Sequence, residues 1–478
     1  MIRTRFAPSP TGYMHIGNLR TALYAYLIAK KDNGTLILRI EDTDQARNVP
    51  AAVAAIYKGL NLAGIIYDEG PDKDGGYGPY VQSQRLHLYK EYAELLVNKG
   101  SAYYCFCQKE DKQVDPDEEA SWISSRRDPC RKLSHSEVTE KLAGNVKPVI
   151  RQRIPETGST TFHDHVYGDI TITHDSLDDQ VLLKSDGFPT YNFANVVDDH
   201  LMAITHVIRG QEYLSSTPKY NLLYQAFGWD LPEYIHLPHI IKENGEKFSK
   251  RHGDPSFEDL VRMGYLPEAI VNYVALLGWS PGNDQEFFTL ETLKQAFSMD
   301  RINKSSAAFS FYKLLWLNGE HIRALTDEDF HQLALNFYPS KLNHLDLIKI
   351  SRLIKLRVEK LTDIPEKVDF FINLPDYERR LYDNPKSRSS RESSLAVLTG
   401  TLPILEGLIQ WDNSMLFDAL KAFAEANGMK VGTVMWPIRT AVSGLLNTPG
   451  GATELAEVIG KDETLRRIKI GIAKLIAA

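Results

Sequence analysis

The chain has 478 residues, 43% of them hydrophobic and 24% charged, a globular balance that excludes a disordered or fibrous chain and predicts two to four domains rather than one core. A formal net charge of −7 does not advertise a nucleic-acid binder, although the portion from His331 onward is mildly basic and could meet phosphates. Three cysteines exclude a disulfide framework, no apolar run approaches the roughly 20 residues of a membrane span, and 1–6 has no signal-peptide block, so the expected place is the reducing cytosol.

In chain order, 2–6 reads as a short strand, and Pro8-Ser9-Pro10-Thr11-Gly12 as a loop, because two prolines and a glycine cannot continue a ladder. Leu19, Ala22, Leu23, Tyr26 and Leu27 recur at helical spacing and predict a helix from about 18 to 31, stopped by Asn33-Gly34. The apolar run 35–40 predicts a second, buried strand. Strand, loop, helix and strand make a βαβ unit, which points to a doubly wound α/β domain. A helix is expected near 85–99. The stretch 101–189 changes character: it holds all three cysteines and strand-like runs at 149–151 and 169–172, and it reads as an insertion. Strand character is expected again at 191–197 and 206–208. From 257 to about 323 the pattern is helical with a break at Trp279-Ser280-Pro281-Gly282, and from Thr326 onward helical patterns dominate.

Ser9, Thr11, His15, Gly17 and Asn18 fall between the first strand and the first helix. In an α/β sheet that is where phosphates dock on free N–H groups. The loop matches neither of the common glycine-rich phosphate loops, so the grip would come from the imidazole of His15 and the amide of Asn18, with Gly17 allowing close approach. The same residues also fit a plainer arrangement, with Asn18 a helix N-cap and His15 a surface histidine. Lys247 and Lys250, in Lys247-Phe248-Ser249-Lys250-Arg251, can neutralise charge building on a triphosphate, or simply be solvated. Glu41, at the end of the second strand, could accept hydrogen bonds from an ammonium group, and Arg5 could fork onto a carboxylate. Asp42 and Asp44 read as structural caps. The segments 191–200 and 207–212 are expected to be later strand ends of the same sheet. Cys105, Cys107 and Cys130 suggest zinc, which usually takes four ligands, or three plain thiols; both readings stay open.

Ala7-Pro8-Ser9-Pro10-Thr11-Gly12, followed by His15-Ile16-Gly17-Asn18, resembles the His-Ile-Gly-His signature of class I aminoacyl-tRNA synthetases, in the form of the bacterial-type glutamyl enzymes, with Asn18 in place of the second histidine. Glu246-Lys247-Phe248-Ser249-Lys250-Arg251 resembles the second signature, Lys-Met-Ser-Lys-Ser, and follows in the expected order. The resemblance covers essentially the whole chain. It implies a Rossmann-type catalytic domain in two halves, 1–100 and 190–255, split by an α+β acceptor-end-binding insertion at 101–189. An all-α stem-contact domain at 256–325 and an all-α anticodon-binding domain at 326–478 would follow.

It implies further that His15, Gly17, Asn18, Lys247 and Lys250 are catalytic, and that Ser9, Thr11, His15, Gly17, Glu212, Tyr213 and Lys250 bind ATP. Arg5, Ser9, Glu41, Tyr191, Asn195 and Arg209 would bind glutamate, with Arg209 pairing the γ-carboxylate. Some glutamyl enzymes carry zinc, with a fourth ligand two residues past the last cysteine; here that position is Lys132, and His135 is the alternative. Arg357 would read the last anticodon base. The implied partners are L-glutamate, ATP with Mg²⁺, and tRNA(Glu), and the implied state is a cytoplasmic monomer. A glutaminyl-tRNA synthetase shares the early motifs, but its C-terminal part is a β-barrel. A truncated tRNA-modifying paralogue would lack the last part of the chain, and a nucleotidylyltransferase needs no Lys-Phe-Ser-Lys-Arg loop. A non-enzymatic tRNA binder would be expected to have lost motif residues.

Overall fold

The computed structural model describes residues 1–10, 12, 14–43, 50–107, 129–144, 146–248 and 253–477. The chain forms two compact units, Met1–Val261 with Pro267–Leu314, and Arg262–Leu266 with Leu315–Ala478. None of the described helices is long and apolar enough to cross a membrane.

In the first unit, β1 (Arg3–Phe6) pairs in parallel with β2 (Thr35–Leu38), and the helix Ile16–Lys31 connects them. The helix starts two residues before the spacing predicts, because its cap is His15. Asn33 takes a left-handed φ of 52°, and Gly34 brings the turn against β1, where a Cβ would sit 2.3 Å from the carbonyl oxygen of Ile2. Ile40 lies beyond β2 and pairs only as an isolated bridge with Val81.

The 101–189 stretch contributes β3 (Ala102–Cys105), β4 (Val149–Gln152), β5 (Ser159–Asp164), β6 (Gly168–Thr173) and β7 (Val181–Leu183). β3, β4 and β7 form a small antiparallel sheet. The β5–β6 hairpin instead joins the order β6-β5-β9-β8, with β8 (His206–Gly210) and β9 (Glu233–Leu237) parallel. Thr205, just before β8, donates its N–H to the carbonyl of Arg3 and so sets β8 beside β1. Of these parallel strands only β2 is a largely apolar run; β1, β8 and β9 also bury polar side chains, Arg5, Arg209 and His236 among them.

Residues 191–197 are a helix, Tyr191–Leu201, and not the strand expected. Phe193, Val196 and Val197 have the i, i+3, i+4 spacing of a helix face and pack with Tyr89 and Leu223. Asn195, Asp198 and Asp199 are buried as well, so no solvated face reveals the helical period. A short strand inside the expected helical stretch also departs from the reading: β11 (Ala307–Phe309) pairs in parallel with β10 (Ile240–Lys242). Three residues are too few to declare a period. The break at 279–282 lies between the helices Pro267–Leu276 and Leu290–Ala296.

The second unit is helical, and no strand occurs among its described residues. Thr326, Asp346, Ser390 and Asp412 each cap a helix by accepting backbone N–H groups. In the last helix, Lys461–Ile476, Arg467 is completely buried. Its Nε donates to Glu463 at 2.7 Å, and its Nη atoms donate to the carbonyls of Phe370, Val442 and Phe371 at 2.7, 2.7 and 3.2 Å. One guanidinium thus satisfies the carbonyl ends of two other helices, Ile364–Ile372 and Val431–Ser443. Arg467→Met is expected to remove about 3 kcal/mol of stability, because three buried carbonyls lose their donor. A urea unfolding midpoint equal to that of the wild type would show that these bonds are dispensable.

Candidate functional site

A cavity of about 390 Å³ opens where β1, β8 and β9 end and the helix Ile16–Lys31 begins, the place where open α/β sheets bind ligands and a size suited to small molecules. Its wall includes Arg5, Ser9, His15, Gly17, Asn18, Glu41, Tyr191, Arg209, Glu212, Tyr213 and Lys247. It also includes Arg20, Thr21 and His239, which the sequence reading missed. Arg20 and Thr21 lie within one turn of Gly17 on the same helix, a signal that was available. Asn195 is not part of this wall. It is buried one turn along from Tyr191, and its Nδ2 donates to the Tyr191 carbonyl at 2.7 Å. Thr11, Asp44 and Lys250 lie outside the described residues.

On one side of the cavity, the backbone N–H of Gly17 donates to His15 Nδ1 at 3.0 Å. A neutral imidazole that accepts at Nδ1 carries its proton on Nε2, so the other nitrogen is a donor. Asn18 is exposed at the third helical position. It is therefore not the N-cap, and its side chain is available for a ligand. A Cβ at Gly17 would lie 3.2 Å from His15 Nδ1 and would push on the ring. Arg20 is buried and donates to the carbonyls of Leu277 and Pro238, with no carboxylate in ion-pair contact among the described residues.

Lys247 reaches the same cavity by pairing as a bridge with Ile241. The tight turn before it is closed by Gly245 at φ 87°. Phe248 is buried, lies 4.5 Å from the ring of Phe309 and 6.1 Å from that of His15. Two motifs 232 residues apart thus meet through an aromatic contact. Lys247 has no acidic partner among the described residues.

On the other side lies a buried ladder of charge. Arg5 Nε donates to Asp199 at 3.1 Å, and Arg39 donates from Nη1 to Asp199 at 2.7 Å and from Nη2 to Glu41 at 3.0 Å. Arg85 Nε, Gln82 Nε2 and the Tyr89 hydroxyl all donate to Asp198, at 2.7, 2.9 and 2.8 Å. Burial would raise the Asp199 carboxyl, but the Arg5 and Arg39 guanidiniums outweigh it and hold the group below its usual range. For Glu41 the balance tips the other way: burial pushes it up to about 7 against the pull of Arg39 and Arg5. Asp42 plays the structural part expected of it, accepting the backbone N–H of Ser83 at 2.8 Å.

Arg5 spends Nε on Asp199 and Nη1 on the carbonyl of Ile208 at 3.1 Å. Arg209 differs. Its neighbours are neutral: His236, Thr217 and the rings of Tyr220, Tyr213 and Tyr234, whose centroids lie 4.6, 5.5 and 5.5 Å from Cζ. Among the described residues no carboxylate touches it, so its charge is left for whatever enters the cavity. Tyr191 and Tyr213 close that end, with ring centroids 5.1 Å apart.

Elsewhere in the first unit, the sulphur atoms of Cys105, Cys107 and Cys130 lie within 4.8 Å of one another. Cys107 Sγ is 3.7 Å from Cys130 Sγ, and the Phe106 N–H points at Cys130 Sγ at 3.4 Å. His135 does not belong to that cluster. In the second unit, Lys355 is bound to Asp327 at 2.7 Å and Arg352 lies 3.5 Å from the same carboxylate. Lys360 faces Asp363 at 3.8 Å. Arg357 is exposed, beside Leu356 at 63% exposure, and has no partner among the described residues.

Two family descriptions match the chain: "tRNA synthetases class I (E and Q), catalytic domain" over residues 1–316 and "Anticodon binding domain" over 329–472. A glutamate–tRNA ligase of Clostridium botulinum is 56% identical over 479 aligned positions, which span 100% of this chain and 99% of that protein. One from Clostridium tetani is 55% identical over 99% and 98% of the two chains. Among solved structures, a glutamate tRNA ligase from Elizabethkingia meningosepticum in complex with its amino acid aligns with a TM-score of 0.84, at 33% identity over 99% of each chain.

Proposed function

The chain belongs to the class I glutamate–tRNA ligases, and from that premise we propose how its cavity performs the reaction. The enzyme uses ATP to activate L-glutamate as glutamyl-adenylate and passes the glutamyl group to tRNA(Glu). What carries the reading of the cavity is that one space holds two kinds of group. Glu41, Arg5 and Arg209 stand where an ammonium and two carboxylates need partners, and His15, Asn18 and Lys247 stand where phosphates need donors.

Glu41 accepts from the α-ammonium of glutamate, and Arg209 pairs with its γ-carboxylate, with Ser9, Tyr191 and Arg5 completing the amino-acid side. Asn195 supports Tyr191 from within the helix rather than touching the substrate. The α-carboxylate attacks the α-phosphorus of ATP in line, the bond to the β-phosphate oxygen breaks, and pyrophosphate leaves. His15 Nε2 and the start of the helix at Gly17 and Asn18 hold the phosphates, and Thr11 is a further ATP ligand. Lys247 and Lys250 neutralise the charge that builds on the leaving pyrophosphate. Glu212 and Tyr213 lie toward the adenosine. ATP enters as its magnesium complex. The adenylate is then opened by a terminal ribose hydroxyl of the tRNA, releasing AMP.

Both halves of a Rossmann catalytic domain, 1–100 and 190–255, supply cavity residues, which supports the five-part division with 101–189 as the acceptor-end insertion, 256–325 as the stem-contact part and 326–478 as the anticodon-binding part. On the same reading the enzyme works in the cytoplasm as a monomer. Glutamate-dependent exchange of labelled pyrophosphate into ATP, with and without tRNA, tests the reaction, and its pH dependence tests Glu41. Only the carboxylate form of Glu41 accepts the ammonium, so protons compete with glutamate below about pH 7. The KM for glutamate is expected to be flat above that pH and to rise by up to about tenfold per unit below it. A KM unchanged between pH 8 and pH 6 removes Glu41 from the ammonium site.

For the cysteines, we propose a structural zinc. A tetrahedral ion with Zn–S bonds of about 2.3 Å spaces its sulphurs about 3.8 Å apart, which the 3.7 Å between Cys107 and Cys130 fits. A backbone N–H aimed at a sulphur also suits a thiolate. Purified protein should contain about one zinc per chain, lost in Cys105→Ser together with some stability; metal-free protein of undiminished stability leaves three packed thiols.

In the second unit we propose Arg357 as the reader of the last anticodon base. Its neighbours Arg352, Lys355 and Lys360 are engaged by acids, and exposed Leu356 offers an apolar surface for an unstacked base. Arg357→Gln should raise the charging of glutamine tRNA relative to glutamate tRNA by about 5- to 100-fold, since one base contact is worth about 1–3 kcal/mol. Comparable charging of both tRNAs by the wild type would place Arg357 elsewhere.

A further inference from the structure

Arg209 stands in β8 directly opposite His236 in β9, and β9 is flanked on its other side by the end of β5 at Asp164. Three adjacent strands therefore carry three polar side chains in a row. All three are buried, Asp164 and His236 completely. The pocket wall stops at Arg209: neither His236 nor Asp164 lines the cavity.

Hydrogen bonds fix the charge of Asp164 and the tautomer of His236. Asp164 Oδ1 accepts the backbone N–H groups of Val166 and Tyr167, both at 2.9 Å. Its Oδ2 accepts the backbone N–H of His236 at 3.1 Å. A carboxyl that takes three N–H donors is ionised, so its short 2.6 Å contact with His236 Nδ1 is filled by the imidazole's proton. The other nitrogen, Nε2, must then be a lone pair, and it accepts from Arg209 Nε at 3.0 Å. An imidazolium would set one donor against another there. Burial, reinforced by Arg209 and only partly offset by Asp164, keeps His236 neutral, with its pKa lowered to about 4. Arg209 Nη2 donates to Thr217 Oγ1 at 2.8 Å, and that hydroxyl spends its proton on the Tyr213 carbonyl at 2.9 Å. The hydroxyls of Tyr220 and Tyr234 donate away, to Asn192 and Asn221. Arg209 Nη1 alone has no partner among the described residues, and Arg209 lines the cavity.

We propose that Asp164, His236 and Thr217 are positioning residues that lock the Arg209 guanidinium by its back edge and so set the preference for a γ-carboxylate over a γ-amide. The proposal rests on the reading of Arg209 as the γ-carboxylate partner. Its physical content is that the counter-charge of Arg209 is held one imidazole away. A carboxylate in direct contact, such as Asp199 against Arg5, would compete with the substrate for the guanidinium. A neutral acceptor orients it and leaves its charge unanswered. Tautomer fixing by a buried carboxylate behind a histidine is a familiar way to orient a ligand group.

The test uses the full-length enzyme and tRNA(Glu). His236→Leu removes the acceptor, and the KM for glutamate should rise about 10- to 100-fold. The KM for ATP should stay unchanged, kcat should fall far less, and the ratio of kcat/KM for glutamate over glutamine should drop. Asp164→Asn should do the same, because an amide donating to Nδ1 flips the tautomer and turns Nε2 into a donor. His236→Gln, which can donate at one end and accept at the other, should restore most of the loss. A wild-type measurement guards against variants that misfold: ¹⁵N chemical shifts of labelled histidine at pH 7 should show His236 neutral with its proton on Nδ1. A proton on Nε2, an imidazolium, or a His236→Leu enzyme with unaltered glutamate KM and discrimination overturns the relay. A wild type that exchanges no pyrophosphate with glutamate overturns instead the reading of the site on which it rests.

Discussion

Two adjacent aspartates on one helix hold the catalytic unit together. Asp198 and Asp199 are buried and receive Arg85, Arg39 and Arg5 from three different parts of the chain. Taking so many charges out of water costs several kcal/mol per ion unless each is met by an opposite charge and its remaining donors are satisfied. Here they are met, with Glu41, Gln82 and Tyr89 filling the remaining positions. β1, β2, the 3₁₀ turn Gln82–Arg85 and the helix Tyr191–Leu201 therefore cannot shift independently. The two groups at the edge of this network, Arg5 and Glu41, are the ones that reach the cavity, so the substrate side of the site is set before a ligand arrives. Glu41 is also where the network is least balanced, since burial outweighs Arg39 and Arg5 and leaves its pKa raised to about 7, and a cationic ligand is what would complete it.

The parts of this arrangement that were legible in the sequence are those whose chemistry is local. The loop with His15, Gly17 and Asn18 announces a strand-to-helix turn with donors on it, and Lys247 follows a short hairpin with its own glycine. The helix Tyr191–Leu201 is hidden in the sequence because its signal is inverted: three polar residues, Asn195, Asp198 and Asp199, are buried, and a helix buried nearly all round shows no amphipathic period. Asn195 was assigned to the cavity by resemblance, yet the helix turns its amide onto its own backbone. The second tier was not legible at all. Asp164 and His236 are 72 residues apart and His236 and Arg209 are 27 apart, and nothing in either local sequence distinguishes them from ordinary strand residues. Register between three strands makes them neighbours, and register is a property of the sheet rather than of any segment.

Arg5 and Arg209, both in the cavity wall, show how environment divides labour between identical side chains. Arg5 is tied to Asp199, so its charge is largely answered inside the protein and its remaining donors serve geometry. Arg209 is surrounded by aromatic rings, a hydroxyl and a neutral imidazole. Aromatic faces hold a guanidinium without neutralising it. The same residue type thus provides a structural strut in one place and an unanswered cation in the other, and only the latter can distinguish a carboxylate from an amide by charge.

That distinction also resolves the mismatch between a chain of net charge −7 and a reaction whose substrates are all anionic. Net charge describes the surface as a whole and says little about a cleft with low-dielectric walls, where a few charges dominate the potential. Within the ladder, the charges of Arg5, Arg39 and Arg85 are matched by those of Asp198, Asp199 and Glu41. Arg20, Arg209 and Lys247 line the same cavity with no carboxylate in contact among the described residues, and the amide groups at the start of the helix Ile16–Lys31 add their partial positive charge. Among the described residues, Glu212 is the one acid of that wall outside the ladder. The cavity is therefore electropositive inside an acidic protein. Its cations are held by strand β8, by a residue bridged to β10 and by the first turns of a helix rather than borne on mobile surface chains. Their field at the cavity is less screened by salt than that of the surface carboxylates, so it governs which ions enter, whatever the sign of the whole.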